Sequence, residues 1–172
     1  MAFHNILSKA DRALVAYLVN LGAGTTADVW PAKRSEDKFL PCTICWSHSA
    51  KPCDGVPYSG VYEVEAFIEV RTPGVIEENQ TADEPRQSSD DRVAAAFDCF
   101  FQNVDSSGEK LGEAITLAGR GSGQTDLSDF TVLNCRVVDV NQGFNSRIKE
   151  QRGNAWIDVL HLELTCCPSD VL

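Results

Sequence analysis

The sequence predicts an α+β fold: a mixed, mostly antiparallel sheet of about four to five strands, covered on one face by two helices. Three observations carry this. The stretch Val61 to Thr72 reads VYEVEAFIEVRT, with Tyr62, Val64, Ala66, Ile68 and Val70 on one parity and Glu63, Glu65, Glu69 and Arg71 on the other. Successive strand side chains point to opposite faces, so this strand has one dry and one charged face, as an antiparallel sheet with one wet side allows. Two further segments carry apolar residues at three- and four-residue steps, the stripe of an amphipathic helix. Two long β-patterned runs near the C-terminus read as a hairpin.

The first helix is expected from about Phe3 to Leu21. Phe3, Ile6, Leu7, Ala10, Leu14, Leu18 and Leu21 form its stripe, and Gly22 supplies the residue that ends helices in a left-handed cap. Ala27 to Trp30 is expected as a short edge strand stopped by Pro31. The charged run Lys33 to Lys38 reads as a turn. Phe39 to His48 is the second strand, with Pro41 near its start placing it at or near an edge. Ser49 to Ser59, with two prolines and a glycine, reads as a loop before the central strand.

Pro73 and Gly74 end the central strand. Glu77 to Ser89 is polar and acidic with no apolar period, so it buries too little surface to offset its ordering entropy, and a mobile loop over 74–89 is expected. Ser88 or Ser89 would cap the second helix, with Asp90 and Asp91 in its first turn. Its stripe is Val93, Ala96, Phe97, Phe100 and Val104, and its end is expected near Asn103. Leu111 to Ala118 is ambiguous, and Gly119 to Asp126 is glycine-rich and reads as flexible. Asp129 to Val140 is a strand with Leu133, Cys135 and Val137 on one parity. Phe130, Val132, Val138 and Val140 make the other parity apolar too, which fits a central strand or a subunit contact. A polar tip over 141–154 then leads to the last strand, Ala155 to Cys166, whose dry face is Leu160, Leu162, Leu164 and Cys166.

The whole chain sets bounds. Its 172 residues, 43% hydrophobic, suit one domain with its own core, 1–172. A net charge of −10 argues against a module that grips nucleic-acid phosphates, but not against a surface that DNA must pass without sticking. No run approaches the roughly 20 apolar residues of a membrane span. The N-terminus lacks a basic region leading into an apolar stretch, so no signal peptide is expected. Seven cysteines without a regular framework are most simply reduced, buried thiols.

Four groups of residues could carry chemistry. Cys42 and Cys45, followed by His48 and Cys53, are metal-ligand types, since zinc takes thiolates and imidazoles in a tetrahedron. Yet Cys42 and Cys45 would point to opposite faces of a strand, which favours buried thiols. His161 lies on the wet parity of the last strand, but no Ser-His-Asp grouping or GxSxG elbow is present. Glu63, Glu65 and Glu69 share one strand face, which suits a solvated face or the wall of an assembly better than a paired-carboxylate active site. Arg147, Lys149 and Arg152 concentrate positive charge at the hairpin tip of an acidic chain. They are either a solvated turn or an arm that docks on an acidic surface of a neighbouring copy, a head-to-tail complementarity of the kind that closes rings.

In layout the chain resembles the tail-terminator, or tail-completion, proteins of long-tailed bacteriophages. The stretches that carry the resemblance are the N-terminal helix ending at Gly22, Val29-Trp30-Pro31-Ala32-Lys33, Leu40-Pro41-Cys42-Thr43-Ile44-Cys45, Gly60-Val61-Tyr62-Glu63-Val64 and the closing Trp156 to Cys167 strand. The similarity covers nearly the whole chain and is one of order and texture. It implies a non-enzymatic virion subunit, made in the host cytoplasm, that forms a ring, usually a hexamer, at the head-facing end of the tail tube. Such a ring stops tube growth, meets the tube protein on one side and a neck or head-completion protein on the other, and needs no cofactor. Genome DNA would pass through its lumen unbound, which the acidity favours. The expected contact residues are Glu63, Glu65, Glu69, Arg147, Lys149 and Arg152. Alternatives are another neck ring, such as a head-closure or connector protein, a small zinc-binding interaction module, or a hydrolase or isomerase with a pocket on the sheet.

Overall fold

The charged-and-apolar stretch is the central strand of a five-stranded sheet. The computed structural model describes residues 3–31, 41–53, 60–73, 84–102, 105–145 and 155–167. In chain order these form α1 (Phe3–Asn20), β1 (Val29–Pro31), β2 (Cys42–Pro52), β3 (Tyr62–Pro73), α2 (Glu84–Asp98), α3 (Glu109–Gly121), a 3-10 turn (Thr125–Leu127), β4 (Thr131–Asn145) and β5 (Ala155–Cys167). The strand order is β1-β2-β3-β5-β4. Only β1, paired parallel to β2, departs from antiparallel pairing. The mixed α+β fold read from the sequence is the fold observed, with three helices rather than two.

One parity of the sheet meets all three helices in a single core. Val64, Ala66, Ile68 and Val70 of β3, Leu160, Leu162, Leu164 and Cys166 of β5, and Cys45 of β2 pack with Ile6, Leu14 and Leu18 of α1, Phe97 of α2 and Leu111 and Ile115 of α3. Burying each large aliphatic side chain contributes roughly 1.5–3 kcal/mol, which is why this parity is so uniformly apolar. Polar ties fix the helices in place. Arg92 of α2 donates to the Asp28 carboxylate and to the Thr43 hydroxyl, both at 3.3 Å. The Tyr17 hydroxyl of α1 donates to the Cys99 carbonyl just past α2. Lys9 pairs with Asp129 at 3.2 Å, and Arg12 pairs with Asp126.

The differences from expectation have local causes. β2 runs on through Ser49 to Pro52 because a bulge at His48 resets its register against β3. A loop had been expected there. α2 begins at Glu84, inside the expected loop 74–89, and ends at Asp98 rather than near Asn103. Glu84-Pro85 is a sound helix start, since proline suits the first turn, where its missing N–H costs nothing. Ser88 and Ser89 therefore lie within the helix rather than capping it. Residues 74–83 lie outside the described residues. β4 continues to Asn145, into the expected polar tip, of which 146–154 lie outside the described residues.

Leu111 to Ala118, ambiguous in the sequence, is the body of α3. Gly112 within it and Gly108 before it are what seats it. A Cβ on Gly112 would come within 2.8 Å of the Val132 carbonyl oxygen, and one on Gly108, at φ +74°, within 2.4 Å of the Cys135 carbonyl oxygen. The helix thus lies directly on the backbone of β4. There Val132 donates its N–H to the Thr116 hydroxyl and Cys135 donates to the Gly108 carbonyl. β4 also carries a bulge at Leu133. It places Val132 and Cys135, an odd number of residues apart, on the same buried face, so the simple alternation expected for this strand fails.

Candidate functional site: the open face of the sheet

The other parity of the sheet faces away from the helices, and register alone arranges it into cross-strand rows. The middle row is Trp46 of β2, Phe67 of β3 and His161 of β5. The three rings stack in sequence. Trp46 and Phe67 have centroids 4.5 Å apart and planes 21° apart, and Phe67 and His161 are 4.6 Å and 13° apart. These spacings match that between adjacent strands, so each ring stands on its own strand and leans on the next. Such cross-strand pairs stabilise a sheet by roughly 0.2–1 kcal/mol each. Phe67, the one apolar residue on the charged side of the central strand, is the middle rung.

On one side of this ladder lies the row Ser49, Glu65, Glu163 and Arg136. His161 Nε2 lies 2.9 Å from Glu65 Oε1, the Ser49 hydroxyl donates to Glu65 Oε2 at 3.4 Å, and Arg136 pairs with Glu163. Lys51 and Glu63 face each other in the next row. Together these rows surround an open depression of about 200 Å³ lined by Ser49, Lys51, Glu63, Glu65, His161 and Glu163.

On the far side of the ladder the face is closed. Glu69 is 4% exposed and Arg71 8% exposed. Arg71 donates to Glu69 Oε1 through Nε at 2.7 Å and Nη2 at 2.6 Å, and Trp46 Nε1 donates to Glu69 Oε2 at 3.1 Å. Cys42 and Ile44, which neighbour this pair on β2, are fully buried. The expectation of a uniformly wet face is therefore corrected. Glu63 and Glu65 are accessible, whereas Glu69 is an interior anchor whose carboxylate is already taken. Arg147, Lys149 and Arg152 lie outside the described residues.

The order of groups in the depression limits its chemistry. Nucleophile activation needs the histidine between the hydroxyl and the carboxylate, so that imidazole can take the hydroxyl proton. Here Glu65 sits between Ser49 and His161, and the Ser49 proton points at a carboxylate. The arrangement suits ionic contact rather than covalent catalysis.

The metal-ligand types do not converge. Cys42 faces the open side of the sheet and Cys45 the helix core, both fully buried, while His48 is exposed at the bulge. Cys53 lies eleven residues beyond Cys42 along a nearly continuous strand, about 36 Å away at strand rise. No group of three or more His, Cys, Asp or Glu among the described residues is placed to hold a metal. All seven cysteines are free thiols. Burial pushes the Cys135 thiol up to about 12, and burial with the nearby Asp11 raises Cys45 well above the ordinary thiol range. Such thiols are poor nucleophiles at neutral pH.

The sequence pointed to Glu63 and Glu65 and to His161 on the wet parity of the last strand, but not to the other partners that build the site, Trp46, Ser49 and Glu163. Their signal was positional. His161 and Glu163 occupy the wet parity of β5, and pairing β5 directly with β3 brings them to Glu65. Among the described residues, no helix is long and apolar enough to cross a membrane. No protein-family model matches this chain, and no curated protein matches it.

Proposed function

We propose that this chain is a non-enzymatic structural subunit of a phage tail. In this reading copies form a ring at the head-proximal end of the tail tube, end tube growth and join the tail to the neck. The observation that carries it is the asymmetry of the sheet. Three helices pack on one face to form the core, while the centre of the other keeps an accessible ionic row and a shallow depression that suits docking better than catalysis. The layout supports the same reading: the N-terminal helix, the strands β2 and β3, a following helix and the closing β4–β5 hairpin keep the order in which the sequence resembles tail-terminator proteins. The net charge of −10 has a use there, since an acidic lumen repels passing DNA phosphates.

The test is native mass, measured for the purified chain alone and with tail tubes. A ring of several copies at one end of the tube is the expected result. A chain that stays monomeric and never associates with tubes overturns the reading. If rings form but sit on the portal side of an isolated neck instead, the chain is a neck ring rather than a tail terminator.

A further inference from the structure

We infer that the depression bounded by Glu63, Glu65 and Glu163 is the socket for the basic segment Arg147–Arg152 of a second copy, so that copies join head to tail. This deepens the ring reading by naming the contact, and it rests on that reading only for the size of the assembly. The first ground is charge. Glu65 and Glu163 are direct cross-strand neighbours, two carboxylates side by side at the rim of an open depression. Glu65 has His161 and the Ser49 hydroxyl beside it and Glu163 has Arg136, yet both carboxylates remain about 40% exposed. A guanidinium placed over them has N–H donors enough to reach both carboxylates, each contact a charge-assisted hydrogen bond. The chain is acidic overall, and a basic cluster lies in the segment joining β4 to β5, where Arg147, Lys149 and Arg152 accompany a single carboxylate, Glu150.

The second ground is reach. That segment leaves the sheet at Asn145 and returns at Ala155, which are paired at one end of β4 and β5. Glu163 lies eight residues along β5 from Ala155, about 27 Å at strand rise. Arg147 is two residues from Asn145 and Arg152 three from Ala155, so their Cα atoms stay within about 7–11 Å of that end. No arginine side chain closes the remaining distance. The basic segment therefore cannot fill the socket of its own chain and can fill that of another. The socket and the strand ends Asn145 and Ala155 that bear the segment lie far apart along β5, which makes the contact heterologous. Repeated around a closing rotation it gives a ring.

Two charge-reversed chains test this. In the first, Glu65→Lys and Glu163→Lys make the socket basic. In the second, Arg147→Glu and Arg152→Glu make the segment acidic. Circular dichroism and a thermal melt first establish that both fold, and Glu163→Gln serves as a milder socket variant. Under conditions where the wild type assembles, each reversed chain alone is expected to stay monomeric, because like charges meet at every contact. An equimolar mixture is expected to assemble, with the two chains alternating. Single variants that assemble like wild type, or a mixture that stays monomeric while wild type forms rings, would overturn the socket and leave the ring reading intact. A socket variant that forms rings but no longer binds tubes would overturn it in favour of a tube-protein partner. A wild type that is monomeric even on tubes would overturn both.

Discussion

Glu65 on β3 and Glu163 on β5 are direct cross-strand neighbours, one carboxylate opposite another in the antiparallel ladder. Like charges in that position destabilise a sheet by a few tenths of a kcal/mol to about 1 kcal/mol. The surrounding groups offset part of this, with His161 beside Glu65 and Arg136 beside Glu163. A double-mutant cycle with Glu65→Gln and Glu163→Gln is expected to give an unfavourable coupling of about 0.5 kcal/mol at low salt. The coupling should shrink at high ionic strength, because both groups are partly solvated. Urea melts at two salt concentrations measure it. A favourable coupling would mean that the two share a proton or a cation and would contradict the open-socket picture.

Asp11 predicts a pH dependence of the fold. It lies on α1, is 5% exposed, and accepts a 2.6 Å hydrogen bond from the Ser47 hydroxyl of β2. Burial raises its carboxyl to about 6, while the bond from Ser47 and the neighbouring Arg12 pull the other way. In the unfolded chain it ionises near 3.8. Between these values the folded protein holds a proton that the unfolded chain has released. Asp11 therefore costs nothing below about pH 4, weakens the fold as pH rises to 6, and costs its full amount above. Two pH units correspond to about 3 kcal/mol. Asp11→Asn, which still accepts from Ser47, is expected to raise the melting temperature at pH 8 by roughly 6–12 °C and to leave it unchanged at pH 4. Equal melting shifts at both pH values would place the ionisation elsewhere.

These two sites also show what the sequence made legible. β3 and β5 could be assigned to faces because each carries a run of alternation, Tyr62 to Ala66 and Leu160 to Cys166, and Tyr62, Val64, Leu160, Leu162 and Leu164 are buried as that alternation requires. β4 could not, because its bulges at Leu133 and Val138 move residues between faces without any mark in composition. Glu69 illustrates a deeper limit. Its parity matches that of Glu63 and Glu65, so alternation treats the three alike. Its burial comes from Trp46 and Arg71, whose placement depends on pairing with β2. Asp11 could not be read as buried either, since its helix face shows only once Ser47 of β2 comes to lie against it.

Gly112 tests the seating of α3. In an exposed helix Gly→Ala gains up to about 1 kcal/mol. At Gly112 the added methyl would meet the Val132 carbonyl oxygen at 2.8 Å and the Asn134 backbone at 2.9 Å, atoms that cannot rotate away. The helix must lift off β4 and strain the Thr116–Val132 hydrogen bonds. Gly112→Ala is therefore expected to destabilise by about 1–3 kcal/mol, in denaturant melts with an unchanged slope. Gly121→Ala is the control, since a Cβ there meets nothing, and it should be neutral or mildly stabilising.

The corrected role of Glu69 separates folding from assembly. Its carboxylate is bonded to Arg71 and Trp46 and is almost fully buried, so removing it leaves the Arg71 guanidinium buried without its counter-charge. Breaking one half of such a pair costs about 3–5 kcal/mol. Glu69→Ala should therefore lower the denaturant midpoint sharply, and any loss of assembly in that variant reports a damaged fold. Glu63 is exposed and faces Lys51 across the ladder. Exposed pairs contribute at most about 1 kcal/mol, so Glu63→Lys should melt nearly as wild type does. If the open rows are the contact face, Glu63→Lys weakens assembly while stability is kept, and Glu69→Ala loses both in proportion. A Glu69→Ala chain as stable as wild type would mean that the buried half of the face is not what holds the Trp46 end of the sheet together.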